Sequence, residues 1–395
     1  MKISGRLSAI APSATMAIDA RQKAMRHDGF PVISFGAGEP DFPTPAPIAQ
    51  AGVAAIKAGH TKYTAVNGIQ ELRTAIAGRM RADLGLEYSP EQIVVTNGAK
   101  EALFNAFQVL LDPGDEVIIP APYWVSYEAQ VLLAGGMPVI VPTREDQDFK
   151  LLPSDLKSAL SPRSRLLVLN TPSNPTGSVY SADELRALGE VLEGAGVGVI
   201  SDEIYQRISY SGPSASFAAA VPALADRTIL INGASKSYSM TGWRIGYAAG
   251  PMAVIKAMNG IQSHSTSNAS SIAQYAAVEA FQGPQGAVDE MAHAFRERRD
   301  AIVRLLNEIP GVRCATPDGA FYVFPNVQGV LGRTLGGTAI SSSLDLAGYL
   351  LEKAYVATVP GEAFGTAGHL RLSYACDMQS IVTGLARIRE TLTAS

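Results

Sequence analysis

The sequence predicts an α/β protein in which a mostly parallel, seven-stranded sheet is flanked by helices and accompanied by a smaller α+β domain. Between residues 93 and 249, short apolar runs alternate with helical patterns, as in buried parallel strands joined by crossover helices. From residue 286, one long charged helical stretch leads into short strands. The chain has 395 residues, 47% hydrophobic and 17% charged, which is enough for two cores.

The strands of the large sheet are predicted where apolar runs are bounded by turn residues. They span residues 93–96, 116–120, 138–141, 165–170, 197–201, 228–231 and 245–249. Another short strand, at 32–35, precedes them and ends in a loop rich in glycine and proline. We expect that loop to form a wall of the substrate site.

Helices are predicted between these strands from apolar residues at helical spacing. Their expected ranges are 46–58, 68–83, 99–111, 123–134 and 181–192. Leu72, Ile76 and Met80 carry this spacing in the second helix. Ser181 is predicted to cap the last helix, with Glu184 in the capping-box position.

A second domain is predicted beyond a charged linking helix at 287–308. Its expected strands are 312–315, 321–324, 356–359 and 369–373, and its expected helices are 344–353 and 378–392. We therefore expect an N-terminal arm and part of the small domain at 1–45, and a large domain that contains the seven-stranded sheet at 46–285. The linking helix and the small C-terminal domain are expected at 286–395.

Charge and composition exclude several classes of partner. A net charge of −4 and a pI near 5.8 predict no basic face for nucleic acid. We find neither an apolar signal segment nor a stretch long enough for a membrane helix, so a cytoplasmic protein is expected. Two isolated cysteines, Cys314 and Cys376, and five scattered histidines predict neither a disulfide framework nor a metal site.

Polar side chains follow several strands of the predicted sheet, where open α/β sheets place their sites. Lys236 follows the strand at 228–231 through a turn, and Asp202 follows a buried strand, with Tyr205 three residues later. Asn174 lies in a rigid proline-rich loop after the strand at 165–170. Each has an ordinary alternative when taken alone: a surface lysine, an acid that caps a turn, or a plain loop.

A helix start and an aromatic residue complete this set. Gly98 and Ala99 open a helix directly after a strand, where backbone N–H groups bind anions. Trp124 could stack on an aromatic ring, although aromatic side chains more often belong to the core. A lysine, an acid, an amide, an anion pocket and a ring stacker at one sheet edge together predict a site for pyridoxal 5′-phosphate (PLP).

Seven segments of the chain resemble the fold type I PLP enzymes, and among them the class I aminotransferases of the bacterial aspartate aminotransferase type. They are GAGEPDF at 36–42, KYT at 62–64, PYWVSY at 122–127, NPTG at 174–177, SDEIY at 201–205, SKSYSMTGWRIGY at 235–247 and RLSYA at 371–375. The resemblance covers essentially the whole chain. The resemblance implies the PLP-dependent transferase fold, with a large and a small domain.

The resemblance implies a role for each cofactor residue. Lys236 resembles the lysine that forms a Schiff base with PLP and moves the substrate proton. Asp202 is expected to keep the ring nitrogen protonated, and Tyr205 and Asn174 to bond the 3′ oxygen. The residues expected to bind the phosphate are Gly98, Ala99, Ser235 and Arg244, joined by Tyr63 from the other subunit of a homodimer. Trp124 is expected to stack on the ring.

The resemblance also implies how substrate is bound. Arg371 resembles the arginine that binds the α-carboxylate as a bidentate fork, with Gly38 on the other side. Trp124 and Asn174 are expected to border the substrate as well. The distal carboxylate is expected to meet Lys100, together with a hydroxyl of Ser13 or Thr15.

These assignments predict transfer of the amino group of L-aspartate to 2-oxoglutarate, giving oxaloacetate and L-glutamate by a ping-pong mechanism. A prephenate or aromatic aminotransferase, or another PLP reaction on the same fold, stays open as an alternative. In the branch that this chain resembles, the resemblance implies a lysine in prephenate-using members where this chain has Ala11, which disfavours that alternative. A PLP-binding transcription regulator is disfavoured because the motif at residue 36 leaves no room for a preceding DNA-binding module.

Overall fold

The protein's structure, a computed structural model, describes residues 3–5, 7 and 14–393, with side chains from Ile18 onward in the first helix. The α-helices of this part are α1 (Ala14–His27), α2 (Ala46–Lys57), α3 (Gln70–Leu84), α4 (Ala99–Leu110), α5 (Ser126–Leu133), α6 (Pro153–Ala159), α7 (Ala182–Glu193), α8 (Phe217–Ala220), α9 (Met252–Ser263), α10 (Ser271–Gln282), α11 (Gly286–Asn307), α12 (Ser343–Tyr349) and α13 (Met378–Thr393). Its strands are β1 (Ile33–Ser34), β2 (Ile93–Asn97), β3 (Glu116–Ala121), β4 (Met137–Pro142), β5 (Ser164–Asn170), β6 (Gly198–Asp202), β7 (Thr228–Gly233), β8 (Ile245–Ala249), β9 (Tyr322–Val323), β10 (Thr334–Leu335), β11 (Thr338–Ala339), β12 (Val356–Ala357), β13 (Val359–Pro360) and β14 (Leu370–Ser373).

The predicted seven-stranded, mostly parallel sheet is confirmed. Its strand order is β2-β8-β7-β6-β5-β3-β4. Strand β8 runs antiparallel to both of its neighbours, β2 and β7, whereas the pairs from β7 to β4 are parallel. Because β5, β6 and β7 are parallel neighbours, their carboxyl ends meet at one edge, where polar side chains can converge.

Both faces of the sheet are covered by apolar helix surfaces. Leu166 and Val168 of β5 pack in a cluster with α4 and α9, whereas Leu167 and Leu169 pack with α7 on the opposite face. This alternation follows from the two-residue period of a strand. Burial on both faces explains why the strands appear in the sequence as continuous apolar runs.

The small domain is built around the long helix α11 and the C-terminal helix α13. Their apolar faces pack with β9, β14 and Phe35 in one cluster, which also includes Tyr205 of the large domain. Strand β1 pairs in parallel with β12, so the segment around Ile33 joins the small domain. This pairing supports our proposal that residues 1–45 complete that domain, for the part of the segment that the structure describes.

Several of the smaller elements differ from the predictions or had no prediction. Residues 312–315, which the structure describes, do not form a strand. Arg313 makes only an isolated bridge with Asn326. The predicted strand 356–359 is two short strands, β12 and β13, which belong to different sheets. The N-terminal arm contains helix α1, and helix α12 gives way to a π-helical turn at Leu350–Ala354. Helices α9 and α10 and the hairpin β10–β11 had not been predicted.

Candidate active site

A cavity of about 740 Å³ lies where the carboxyl ends of β5, β6 and β7 face the small domain. Most of the residues singled out from the sequence border it. They are Gly38, Ala99, Lys100, Trp124, Asn174, Asp202, Tyr205, Ser235, Lys236, Arg244 and Arg371. The cavity also extends to helix α1, where Gln22 and Lys23 form part of its wall.

Four other residues predicted for the site are not seen at the cavity wall. Gly98 does not border the cavity but lies against the guanidinium of Arg244. The side chain of Tyr63 is 91% exposed and does not border the cavity of its own chain. Ser13 lies outside the described residues, as does the side chain of Thr15. These two therefore stay predictions.

Lys236 reaches the cavity from the turn that follows β7. Its ammonium Nζ donates a hydrogen bond to the carbonyl oxygen of Gly38 at 2.5 Å. Burial lowers the pKa of Lys236 to about 8; the Glu39 carboxylate opposes this shift and the positive charges of Arg244 and Arg371 add to it. An amine with this pKa is partly neutral near neutral pH, so it can act as a nucleophile and as a base.

Asp202 ends β6 at the floor of the cavity. The hydroxyl of Tyr127 donates to its Oδ2 at 2.6 Å, and the backbone N–H of Ile204 donates to its Oδ1 at 3.2 Å. Burial raises the pKa of Asp202 to about 6, although both hydrogen bonds act against the rise. A cationic group beside this carboxylate would favour its ionised form.

Tyr127 is a site residue that the sequence argument missed. It lies in the PYWVSY segment, which was used only to support the resemblance. Its ring packs edge-on against Trp124 with centroids 5.4 Å apart, and it is almost fully buried. Tyr127 therefore holds both the floor carboxylate and the indole in place.

An anion pocket lies at the start of α4. The guanidinium of Arg244 donates to the carbonyl oxygens of Asn97 at 3.1 Å and Thr241 at 3.0 Å. Gly98 has φ +81°, and a Cβ there would overlap that guanidinium, so only glycine suits this position. Helix N–H groups and a guanidinium at one point favour a phosphate group.

A second cationic point lies on the small-domain side of the cavity. Arg371 is only 5% exposed, and its guanidinium donates to Oδ1 of Asn174 at 3.1 Å and to the carbonyl oxygen of Gly36 at 2.8 Å. Its Nε has no hydrogen-bond partner among the described residues. A buried guanidinium with an unused donor fits a carboxylate from a ligand.

Aromatic rings support two of the cations that border the cavity, Arg371 and Lys100. The ring centroids of Tyr322 and Phe364 lie 4.6 and 5.0 Å from the Arg371 guanidinium carbon. The Lys100 ammonium lies 4.8 Å from the ring centroid of Trp124, and burial lowers the pKa of Lys100, with Arg244 adding to the shift. Such contacts stabilise a cation while leaving its hydrogen-bond donors free.

The described residues contain no group of three potential metal ligands and no helix that is long and apolar enough to cross a membrane. The cavity instead combines a nucleophilic amine, Lys236, and a buried acid, Asp202, with two separate points that bind anions, at Arg244 and at Arg371. That set suits a phosphorylated cofactor that reacts with amines, together with a substrate that carries a carboxylate.

Comparison with known proteins agrees with this chemistry. The chain is 49% identical to an aspartate aminotransferase of Geobacillus stearothermophilus over 396 residues, covering all of both chains. It is 48% identical to an aspartate/prephenate aminotransferase of Cereibacter sphaeroides, covering 98% of each. The crystal structure of an aspartate aminotransferase from Rhizobium meliloti superposes with a TM-score of 0.96 at 45% identity, covering 99% of each chain.

These similarities confirm the fold that the sequence predicted, because structural neighbours covering the whole chain are aminotransferases of the same architecture. Residues 31–388 match the family described as aminotransferase class I and II. The chain therefore belongs to the class I and II aminotransferase family.

Proposed function

We propose that the protein is an aspartate aminotransferase that uses PLP to transfer the amino group of L-aspartate to 2-oxoglutarate, giving oxaloacetate and L-glutamate. The single observation that carries this proposal is the convergence of Lys236, Asp202 and Arg371 on one cavity. Its support from comparison is the near-50% identity, over the full chain, to an aspartate aminotransferase.

The residues of the cavity fit PLP. Its phosphate would be held by Arg244, Ser235 and the helix start at Gly98 and Ala99. Its ring nitrogen would face Asp202, its 3′ oxygen would accept hydrogen bonds from Tyr205 and Asn174, and its ring would stack on Trp124. When bound, PLP supplies an aldehyde that condenses with amines and a ring that withdraws electrons from the substrate's α-carbon.

Within this site Lys236 is the residue that moves a proton. Its lowered pKa leaves a fraction of neutral amine, which can remove the proton from the substrate's α-carbon and return it. The carbonyl of Gly38 orients the amine. Asp202 is held by Tyr127 from the side, so its charge is fixed in place before substrate enters.

Arg371 binds the α-carboxylate of the substrate, with Gly38 opposite. The guanidinium already uses two donors on Asn174 and Gly36, which fixes its plane. Lys100 receives the distal carboxylate of aspartate, joined by Ser13 or Thr15. Because amino acid and oxo acid need the same buried guanidinium, they bind in turn, which predicts ping-pong kinetics.

The subunits form a homodimer in which Tyr63 reaches the phosphate site of the partner. Its high exposure within one chain supports this proposal. A cytoplasmic location accords with the absence of a spanning helix among the described residues. Prephenate stays the second candidate acceptor, because four similar proteins are named for both aspartate and prephenate.

The experiment that tests the proposal is a steady-state assay of the purified holoenzyme with aspartate, alanine, kynurenine, phenylalanine and arogenate as donors. Aspartate should give the highest kcat/KM, and Lys236→Ala should lower turnover by at least a thousandfold. The matched control is Lys157→Ala, the same change at an exposed lysine on α6, which should leave turnover unchanged.

Two results would contradict the proposal in different ways. An aromatic donor ranking above aspartate would overturn the substrate assignment while leaving the aminotransferase chemistry intact. A wild-type protein without a visible absorption band that responds to amino acids would overturn the assignment of PLP.

A further inference from the structure

Tyr322 lies between two groups that the proposed function uses, yet no sequence motif assigned it a role. It belongs to β9, is fully buried and borders the cavity. Its ring lies under Arg371, and its hydroxyl lies 2.8 Å from the hydroxyl of Tyr205. A Cβ on Gly38 would approach the same hydroxyl to 3.4 Å, so the Tyr322 side chain reaches the loop that faces Lys236.

The ring of Tyr322 gives Arg371 an electrostatic support that takes no donor from it. The guanidinium carbon lies 4.6 Å from the ring centroid, and Phe364 provides a second ring at 5.0 Å. An aromatic face attracts a cation most strongly where both are withdrawn from water, as they are here. The rings thereby support the guanidinium without accepting any of its N–H groups, and Nε has no hydrogen-bond partner among the described residues.

The hydroxyl of Tyr322 controls what the hydroxyl of Tyr205 can do. Burial raises the pKa of both phenols, so each keeps its proton at neutral pH and one of them must donate to the other. The positive charge of Arg371 lowers the pKa of both phenols against the effect of burial, but the Asp202 carboxylate raises the pKa of Tyr205, which makes Tyr322 the better donor of the pair. Tyr205 then accepts, and its own proton is free to bond an oxygen in the cavity.

We propose that Tyr322 is a positioning residue that couples the carboxylate-binding guanidinium of Arg371 to the cofactor-facing hydroxyl of Tyr205. The inference rests on the proposed function, because it assumes that Tyr205 faces the 3′ oxygen of PLP. Its ring and its hydroxyl make separable contributions. The ring supports anion binding at Arg371, and the hydroxyl strengthens the bond that Tyr205 donates.

The test uses three holoenzyme variants: Tyr322→Phe, which keeps the ring, Tyr322→Leu, which removes it, and Tyr374→Phe as control. Tyr374 loses the same hydroxyl in the same domain, but that hydroxyl bonds Tyr210 and the carbonyl of Ala320. Two quantities are measured: the pH midpoint of the visible absorption band and the Kd for maleate, a dicarboxylate without an amino group. Thermal unfolding of each apoprotein reports on folding.

Tyr322→Phe should raise the pH midpoint by roughly 0.3 to 1 unit, because a weaker bond from Tyr205 stabilises the ionised 3′ oxygen less. Its Kd for maleate should stay within about twofold of wild type, since the ring remains. Tyr322→Leu should shift the midpoint and also weaken maleate binding roughly three- to thirtyfold. Tyr374→Phe should change neither quantity.

An unshifted midpoint in Tyr322→Phe would overturn the coupling, and equal loss of maleate affinity in the Phe and Leu variants would overturn the role of the ring. A shift of the same size in Tyr374→Phe would show that loss of any buried hydroxyl suffices, which also overturns the inference. A wild-type protein with no pH-dependent visible band would instead overturn the proposed function itself, so the two failures are distinguishable.

Discussion

At the residue scale, Lys100 and Arg371 are two cavity cations with different tasks. Arg371 is fixed by two hydrogen bonds and two rings, whereas the ammonium of Lys100 lies over one face of Trp124. Lys100→Met keeps the length of the stem and removes the charge. We expect KM for aspartate to rise roughly ten- to a hundredfold, because a charged hydrogen bond to the distal carboxylate is lost.

The control for this prediction is the substrate itself. Alanine lacks the distal carboxylate, so its KM in Lys100→Met should stay within about twofold of wild type. The measurement is a pair of steady-state assays on the same enzyme preparation. Equal increases in KM for aspartate and alanine would assign Lys100 a general structural role and contradict the prediction.

Glu203 is a second buried acid beside Asp202, and it predicts how stability depends on pH. Its Oε1 accepts hydrogen bonds from Ser201, Ser216 and the N–H of Phe217, while its Oε2 has no partner among the described residues. Burial raises its pKa from 4.5 to about 7. The folded state therefore holds a proton that the unfolded state has lost, and Glu203 makes stability fall as pH rises from about 4.5 to about 7.

Glu203→Gln should remove that part of the pH dependence, which amounts to roughly 3 kcal/mol at most for a shift of this size. The urea midpoint of the apoprotein should then decline less between pH 5 and pH 7 than in wild type. Glu193→Gln is a matched control, since Glu193 is an exposed residue at the end of α7. An unchanged slope in Glu203→Gln would show that the acid is already ionised in the fold.

The sequence could predict site residues that follow strand ends, and it could not predict those that act through remote contacts. Lys236 and Asp202 sit at positions where any open α/β sheet gathers polar groups. Tyr127 contacts Asp202 across 75 positions of the chain, and Tyr322 contacts Tyr205 across 117. No local pattern reports such a contact, because it depends on how segments far apart in the sequence pack together.

At the element scale, the start of helix α7 is an example of a local sequence motif that forms the predicted hydrogen bonds in the structure. The Ser181 hydroxyl accepts from the N–H of Glu184 at 3.2 Å, and the Glu184 carboxylate accepts from the N–H of Ser181 at 2.7 Å. This reciprocal pair was predicted from the spacing alone, because a capping box needs only four consecutive residues.

Ser181→Ala should destabilise the first turn of α7 by about 1 kcal/mol, because a helix N–H loses its acceptor. Hydrogen exchange of the amides in that turn should accelerate about fivefold. Ser181→Gly should cost only a few tenths of a kcal/mol and serves as the comparison. Equal exchange in the wild type and Ser181→Ala would mean that Lys150, which pairs with Glu184 at 3.0 Å, holds the turn by itself.

The elements of the large sheet were predictable and those of the small domain were less so. Most strands of the large sheet have five to seven residues that are largely buried, so each appears in the sequence as a continuous apolar run and can be predicted from it. Strands β12 and β13 have two residues each and pair with different partners, β1 and β14. Their existence is decided by pairing between distant segments, which short apolar runs do not encode.

At the scale of the whole molecule, the two domains meet through the loop that carries Gly38. Asp41 of that loop pairs with Arg298 of α11 at 2.6 Å, and the guanidinium of Arg298 lies 4.8 Å from the ring centroid of Phe42. On its other side the loop receives the hydrogen bond from Lys236. The long helix of the small domain and the reactive lysine of the large domain thus both contact the loop that carries Gly38.

The exposed surface of the large domain leads to the last prediction, which concerns the dimer. Tyr63 is 91% exposed, and Val53 and Ile56 of α2 are exposed apolar residues as well. If Tyr63 completes the phosphate site of the partner, Tyr63→Ala should weaken PLP binding about tenfold or more. Subunits of Tyr63→Ala and of the inactive Lys236→Ala are then unfolded together, mixed in equal amounts and refolded.

Random pairing makes half of the dimers hybrids, and each hybrid has one cavity with both Lys236 and the partner's intact Tyr63. Activity at limiting PLP should therefore recover to roughly a quarter of wild type. The control mixes Tyr63→Ala with the double variant Tyr63→Ala/Lys236→Ala, in which no cavity receives a tyrosine, and should show no recovery. Absence of recovery in the first mixture as well would mean that Tyr63 does not act across the subunit interface.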